Sequence, residues 1–255
     1  FNLFTNQGYN YRNSPGNMIN ETEYLNADNT TKNFVIEPRT NERYGKGYNG
    51  NFGIELYLDK STSWTNTINY RKNNGDNTDN VFQNYYDVNY VYNYTRNRIN
   101  EEDSDSENVE FTTNLTKNFK KDGHKLTIDG SFSTSDEINN ALVTDTANNS
   151  DSKKLDKTVN NQSQNRNLIQ MDYVLPLGKG SQFEAGYRGD FNKLLTDYQV
   201  ANDGVINYNF TNTLEYKENV NALYTQYGLK VNKISVLLGL RWEDSNIEVN
   251  QLSTN

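Results

Sequence analysis

Residues 234–249 read ISVLLGLRWEDSNIEV, and the fold turns on what lies either side of them. In an extended strand, side chains two apart share a face. Ile234, Val236, Leu238, Leu240 and Trp242 therefore line one side, while Ser235, Gly239, Arg241, Glu243 and Ser245 line the other. Such a strand needs an oily surface against one face and water against the other. A protein core supplies the first; so does lipid.

Composition weighs against a conventional core. Of 255 residues only 33% are apolar, against about 45–50% in an ordinary globular domain. Disorder does not follow, because 19 Tyr and 11 Phe are the residues that anchor packing, and disordered chains lack them. A membrane β-barrel reconciles the two facts: each strand shows lipid one face and a wet lumen the other, so little core is needed. The chain has no Cys, as suits an oxidising compartment. It has no apolar run of about 18 residues, so no membrane helix is expected. The opening FNLFTNQGYNYR is strand-like and carries no signal peptide, so the start of the natural protein is expected upstream. A net charge of −8 argues against a nucleic-acid partner, since phosphate needs a basic surface.

The same period of two recurs along the chain. Phe52, Ile54, Leu56 and Leu58 alternate with Gly53, Glu55, Tyr57 and Asp59; Val109, Phe111, Thr113 and Leu115 with Glu110, Thr112 and Asn114; Leu126, Ile128 and Phe132 with Thr127, Asp129 and Ser131. Ile169, Met171, Tyr173 and Leu175 oppose Gln170, Asp172 and Val174, and Phe183, Ala185, Tyr187 and Phe191 oppose Glu184, Gly186, Arg188 and Asp190. Short turns at 58–63, 120–123, 176–181 and 231–233 join these strands, and long polar stretches near 13–47, 74–105, 137–162 and 195–213 lie between the hairpins. Structureless loops of that length are uncommon in compact soluble domains, whereas outer-membrane barrels have short periplasmic turns and long extracellular loops. The expectation is an all-β, antiparallel, up-and-down transmembrane barrel segment over residues 1–255, with roughly nine membrane strands of about 9–11 residues each. Parity puts residues 85–98 in an external excursion as a protruding hairpin. Trp64, Phe119 and Phe183, beside the short turns, sit where interfacial aromatic girdles belong.

The stretch from 214 to 249, LEYKENVNALYTQYGLKVNKISVLLGLRWEDSNIEV, resembles the barrel of TonB-dependent receptors. The matching residues are Glu218, Asn219, Ala222, Tyr224 and Tyr227 on one strand and Gly239, Leu240, Arg241, Trp242 and Glu243 on the next. The start of the chain and NLTKNFKKDGHKLTIDGSFS at 114–133 look similar too. The resemblance implies active uptake of a bulky solute such as an iron chelate, a glycan or a peptide, through a barrel of about 22 strands. It also implies a plug domain, an inner-membrane energy-coupling protein, a surface lipoprotein partner and a location in the bacterial outer membrane. On this reading the 255 residues are a central piece of a barrel.

Nothing in the sequence points to an enzyme, a cofactor or a resident metal. His124 follows a tight turn and reads as solvated; DSDSE at 103–107 spaces oxygen ligands as a calcium loop does but lacks its Gly and distal Glu, so it reads as a solvated acidic loop. Glu55, Asp129, Asp172, Glu184, Arg188, Asp190, Arg241 and Glu243 are the expected lumen-facing charges, with the motif residues Glu218, Asn219 and Gly239 grouped with them. Ile234, Val236, Leu238, Leu240 and Trp242 are expected to face lipid. Tyr85, Tyr86, Tyr90 and Tyr92 are candidates for stacking on a solute, by family analogy. Two other readings compete: a passive porin-like or structural outer-membrane protein, and a soluble secreted β-sandwich binding module whose apolar stripes pack on each other.

Overall fold

The computed structural model describes residues 1–178, 180–231 and 233–253. Lys179 and Asn232, in the turns expected at 176–181 and 231–233, lie outside the described residues, as do Thr254 and Asn255. The rest forms one antiparallel sheet of β1 (Asn2–Asn13), β2 (Gly16–Leu25), β3 (Thr31–Asp59), β4 (Thr62–Tyr86), β5 (Tyr92–Asn118), β6 (Lys125–Ala147), β7 (Ser150–Gly178), β8 (Ser181–Asn202), β9 (Val205–Ile206), β10 (Asn212–Val231) and β11 (Ile234–Gln251). Neighbours run β1-β3-β4-β5-β6-β7-β8-β10-β11. β2 carries on where β1 stops, pairing β3 from Thr31 to Asn41 while β1 pairs it from Tyr44 to Glu55. Pro15, which has no N–H for a ladder, separates them.

All strands in contact are hydrogen-bonded neighbours, and among the described residues no second layer covers either face. Val35 and Ala222 are the buried apolar residues of this part of the chain, and Leu240 is 79% exposed. The β-sandwich reading fails here, because a sandwich needs a facing sheet with which to interleave those side chains.

Register explains why the apolar residues matter. One row across the sheet reads Leu56, Trp64, Leu115, Ile128, Met171, Tyr187, Leu223, Trp242, each directly opposite the next. Two residues further from the short turns, another reads Ile54, Asn66, Thr113, Gly130, Ile169, Gly189, Asn221, Asp244, and the next Phe52, Ile68, Phe111, Phe132, Asn167, Phe191, Asn219, Asn246. On β10 and β11 the apolar level instead sits lower, at Leu229, Tyr227, Val236 and Leu238. The band thus climbs relative to the ladder from β11 to β3. Tilted strands staggered in register, as in a barrel wall, give a level band only if the ladder slants in this way.

The long polar stretches are strands rather than loops. β3 and β7 have 29 residues each and β5 has 27, so each runs on the order of 95 Å at about 3.3 Å per residue, far beyond the ~9–11 residues that cross the hydrocarbon. Their far connections are tight: Asn26–Thr30, Asp87–Val91, Asn148–Asn149 and Asp203–Gly204. Asp203 and Gly204 both have positive φ, 49° and 82°, as a two-residue hairpin turn requires. The alternation of oil and water stops above the band because both faces there meet water, but the ladder does not need it. Cross-strand pairs hold the extensions: Arg96 Nε donates to Asp145 Oδ1 at 2.7 Å, and Tyr85 stacks on Tyr94 at 4.4 Å. The segment 85–98 forms the tip of the β4–β5 hairpin.

The band predicts an asymmetry on a single strand. Leu238→Arg puts a charge in it, at a cost of about 2–4 kcal/mol near a bilayer midplane, and should sharply reduce the folded fraction in a vesicle insertion assay. Ser235→Arg, on the opposite face, should leave that fraction close to the unsubstituted level.

Candidate functional site

The face opposite the band carries the charges. Glu55, Asp129, Asp172, Glu184, Arg188, Asp190, Arg241 and Glu243 all fall on it, with Gly239 and Glu218. One of its rows reads Glu55, Thr65, Asn114, Asp129, Gln170, Arg188, Ala222, Glu243. Asn219 is the exception: it pairs with Phe191 and Asn246 on the banded face, at the band's upper margin. Adjacent residues of a strand point to opposite sides, so Asn219 cannot share a face with Glu218. Ile234, Val236, Leu238, Leu240 and Trp242 lie together on the banded face. Above Trp242, Asp244, Asn246 and Glu248 replace them, while Ile247 and Val249 turn to the other side.

Arg166, Arg188, Asp190, Glu218, Arg241 and Glu243 line a concavity of about 460 Å³ on the charged face. Its centre is Asp190. Arg166, from the adjoining strand, grips it with Nε to Oδ1 at 2.9 Å and Nη2 to Oδ2 at 2.6 Å, the planar fork that matches a carboxylate. Arg188 adds a longer contact at 3.4 Å. Arg241 and Glu243, two apart on one strand, pair at 3.0 and 2.6 Å. Arg166 was not among the expected residues, although counting by twos back from Asp172 and Gln170 puts it on the charged face. The arrangement holds three cations and three anions in a wet concavity. It suits gripping a polar surface or lining a solute path; it contains no nucleophile with an adjacent base.

Tyr224 spans strands in the same region. It pairs with Gly186, which pairs with Asp172, and its ring lies across Gly186 so that its hydroxyl donates to Asp172. A Cβ on residue 186 would come within 2.2 Å of Tyr224 Cζ, so only glycine leaves room for the ring. This is the aromatic cover that stabilises glycine in a sheet.

Other candidates acquire structural roles. His124 closes the turn, its N–H donating to Lys121 O at 3.0 Å, but its half-buried ring is packed: it stacks on Phe119 at 4.1 Å, and its Nε2 meets the Tyr173 hydroxyl at 2.8 Å. With Trp64 Nε1 donating to Thr113 Oγ1 at 2.8 Å, these rings fringe the short-turn end of the band. Residues 103–107 are strand rather than loop, so Asp103, Asp105 and Glu107 share one face, with Lys72 Nζ at 3.8 and 3.6 Å from the last two. Tyr90 stacks on Phe34 at 4.0 Å and donates to Glu21 Oε1 at 2.6 Å, and Tyr86 meets Tyr92 edge-on at 5.9 Å, so the tip tyrosines fasten hairpins together. The bond to Glu21 pushes the Tyr90 hydroxyl above its ordinary range. In the β3–β4 turn, hydrogen bonds from Ser61 and then Lys117 hold the Asp59 carboxyl well below its usual range.

A single up-and-down antiparallel sheet, banded with apolar side chains on one face and charged on the other, is the wall of an outer-membrane β-barrel. The chain belongs to the outer membrane protein beta-barrel family, whose family profile matches residues 117–255. That membership places it in the bacterial outer membrane. No curated protein and no solved structure matches the chain.

Three substitutions test this geometry. Asp190→Asn removes the carboxylate shared by two guanidinium groups, and should lower the temperature at which the folded band is lost on an unheated gel. Glu243→Gln removes an exposed pair within one strand, worth about 0–1 kcal/mol, and should leave that temperature nearly unchanged. Gly186→Val should displace the Tyr224 ring; loss of a slowly exchanging Tyr224 hydroxyl proton signal is the readout, and its retention contradicts the assignment.

Proposed function

We propose that the chain is part of the barrel wall of a TonB-dependent outer-membrane transporter, with the apolar band against lipid and the charged face lining a lumen that houses a plug. The observation that carries this reading is the β10–β11 hairpin. Four of its family-like residues are register partners, Ala222 opposite Glu243 and Tyr224 opposite Arg241, so parts of two sequence patterns that resemble the receptor family meet on the charged face. The paired charges suit a wall that must hold a polar plug without leaving bare charge. On this reading an inner-membrane energy-coupling protein drives release of the plug, a surface lipoprotein meets the far hairpins, and the cargo is a bulky solute.

A passive porin differs in lacking the plug, and conductance separates the two. The full-length protein in a planar bilayer with potassium chloride should show no standing conductance, and should open only when urea loosens the plug. Stable open steps without urea would sink the transporter reading in favour of the passive one.

A further inference from the structure

The short turns are basic in an acidic chain. Residues 58–63, 117–125, 176–182 and 229–235, which are the β3–β4, β5–β6, β7–β8 and β10–β11 turns with their margins, hold eight of the sixteen lysines and two aspartates. They carry a net +6 where the whole chain carries −8, so the remaining residues carry −14. None of the nine arginines is among them. Lys117 is used internally, its Nζ 3.0 Å from Asp59 Oδ2. Lys60, Lys120, Lys121, Lys125, Lys230 and Lys233 are exposed, and among the described residues none of the six has an ion pair.

Their position says what they meet. The turns stand at the foot of the apolar band: Leu58 comes two residues before Lys60, Phe119 directly before Lys120, and Ile234 directly after Lys233. A barrel's short turns face the periplasm, so these ammonium groups lie at the headgroups of the periplasmic leaflet, where a lysine stem covers apolar surface while its head stays in water. From Lys60 to Lys233 the row crosses six strand spacings, roughly 29 Å at about 4.8 Å each, which suits many small anions rather than one fixed ligand. The choice of lysine agrees. Arginines elsewhere in this wall act as planar forks on carboxylates, Arg166 on Asp190 and Arg96 on Asp145, because a fork rewards a partner held in place. A diffusing headgroup phosphate offers no fixed geometry, and a flexible point charge suits it. An acidic protein would have to be recruited to the turns; headgroups stand at this height wherever the band meets lipid.

We propose that the lysine row binds anionic glycerophospholipids of the periplasmic leaflet, those whose phosphate no ammonium balances. Lys60, Lys120, Lys121 and Lys233 are the contacting residues, and Lys125 and Lys230 at the mouth of the charged face add to the field. The proposal is independent of cargo and plug: a standing conductance in the bilayer would remove the plug and leave this lipid contact in place. The test is lipid association with full-length protein in phosphatidylcholine vesicles. Spin-labelled phosphatidylglycerol should associate about fivefold more strongly than spin-labelled phosphatidylcholine, which is what ~1 kcal/mol, the attraction between one lysine and an anionic surface, amounts to. Raising salt from about 0.1 to about 1 M shortens the screening length from about 10 to about 3 Å and should remove most of the preference. Lys60→Gln, Lys120→Gln and Lys233→Gln together should bring it below about twofold. Lys153→Gln, Lys154→Gln and Lys157→Gln, the same charge change on β7 far from the short turns, should leave it intact. All six of these lysines are exposed and without an ion pair among the described residues, so both triple variants should keep the folded gel band, and the salt series needs no variant. No preference for phosphatidylglycerol, a preference that salt does not weaken, or the same preference in the two triple variants overturns the proposal. The first outcome, with the turn lysines shielded from an amine reagent in intact cells, would assign the row to an acidic periplasmic protein instead.

Discussion

The constraint on which everything else depends is that the backbone must satisfy itself sideways. With no layer packed on either face, and with Val35 and Ala222 as the buried apolar residues among those described, the sheet draws no stability from an interior of its own. In hydrocarbon each unpaired N–H or C=O costs several kcal/mol, so the ladder from β1 to β11 must be nearly unbroken where the band runs. It is: β10 pairs β8 and β11, and β5 pairs β4 and β6, without a register shift through the band. The apolar side chains then decide only which face meets lipid.

The same ladder carries the charged face outward. Asp190 with its two arginines stands at the level of Phe191 on the other side. The row of Arg12, Gly45 and Gly75 stands beyond the band, where Tyr11 and Lys46 flank it on the opposite face. No separate domain positions these residues; strand length does. Arg39 with Asp79 and Arg96 with Asp145 fasten the outermost part. The Arg96 bond holds the Asp145 carboxyl below its ordinary range, so this contribution is present above the carboxylate's unfolded pKa and is lost as pH falls through the lower folded value.

Much of this was legible in the sequence. Wherever oil met water, alternation assigned the faces of β3, of β5 to β8 and of β11, because side-chain period is a property of one strand alone. It failed in two ways. Above the band both faces are polar, so the extensions looked like loops; the turn signals that divide them, Asn148–Asn149 and Asp203–Gly204, lay in the middle of those stretches and were the available clue. The row of Arg12, Gly45, Gly75 and Ser104 was hidden for another reason: it comes together only through the register of four strands, which no single strand reveals. Asn219 was misplaced by grouping residues by motif instead of by parity.

The tall hairpins also govern how such a protein can drift over generations. A residue gained or lost in one leg of β6 and β7 turns every side chain beyond it from inside to outside. Tolerated insertions and deletions must therefore come two residues at a time, matched on both legs, or be confined to the tips. Wall height can change in steps while the channel lining keeps its chemistry.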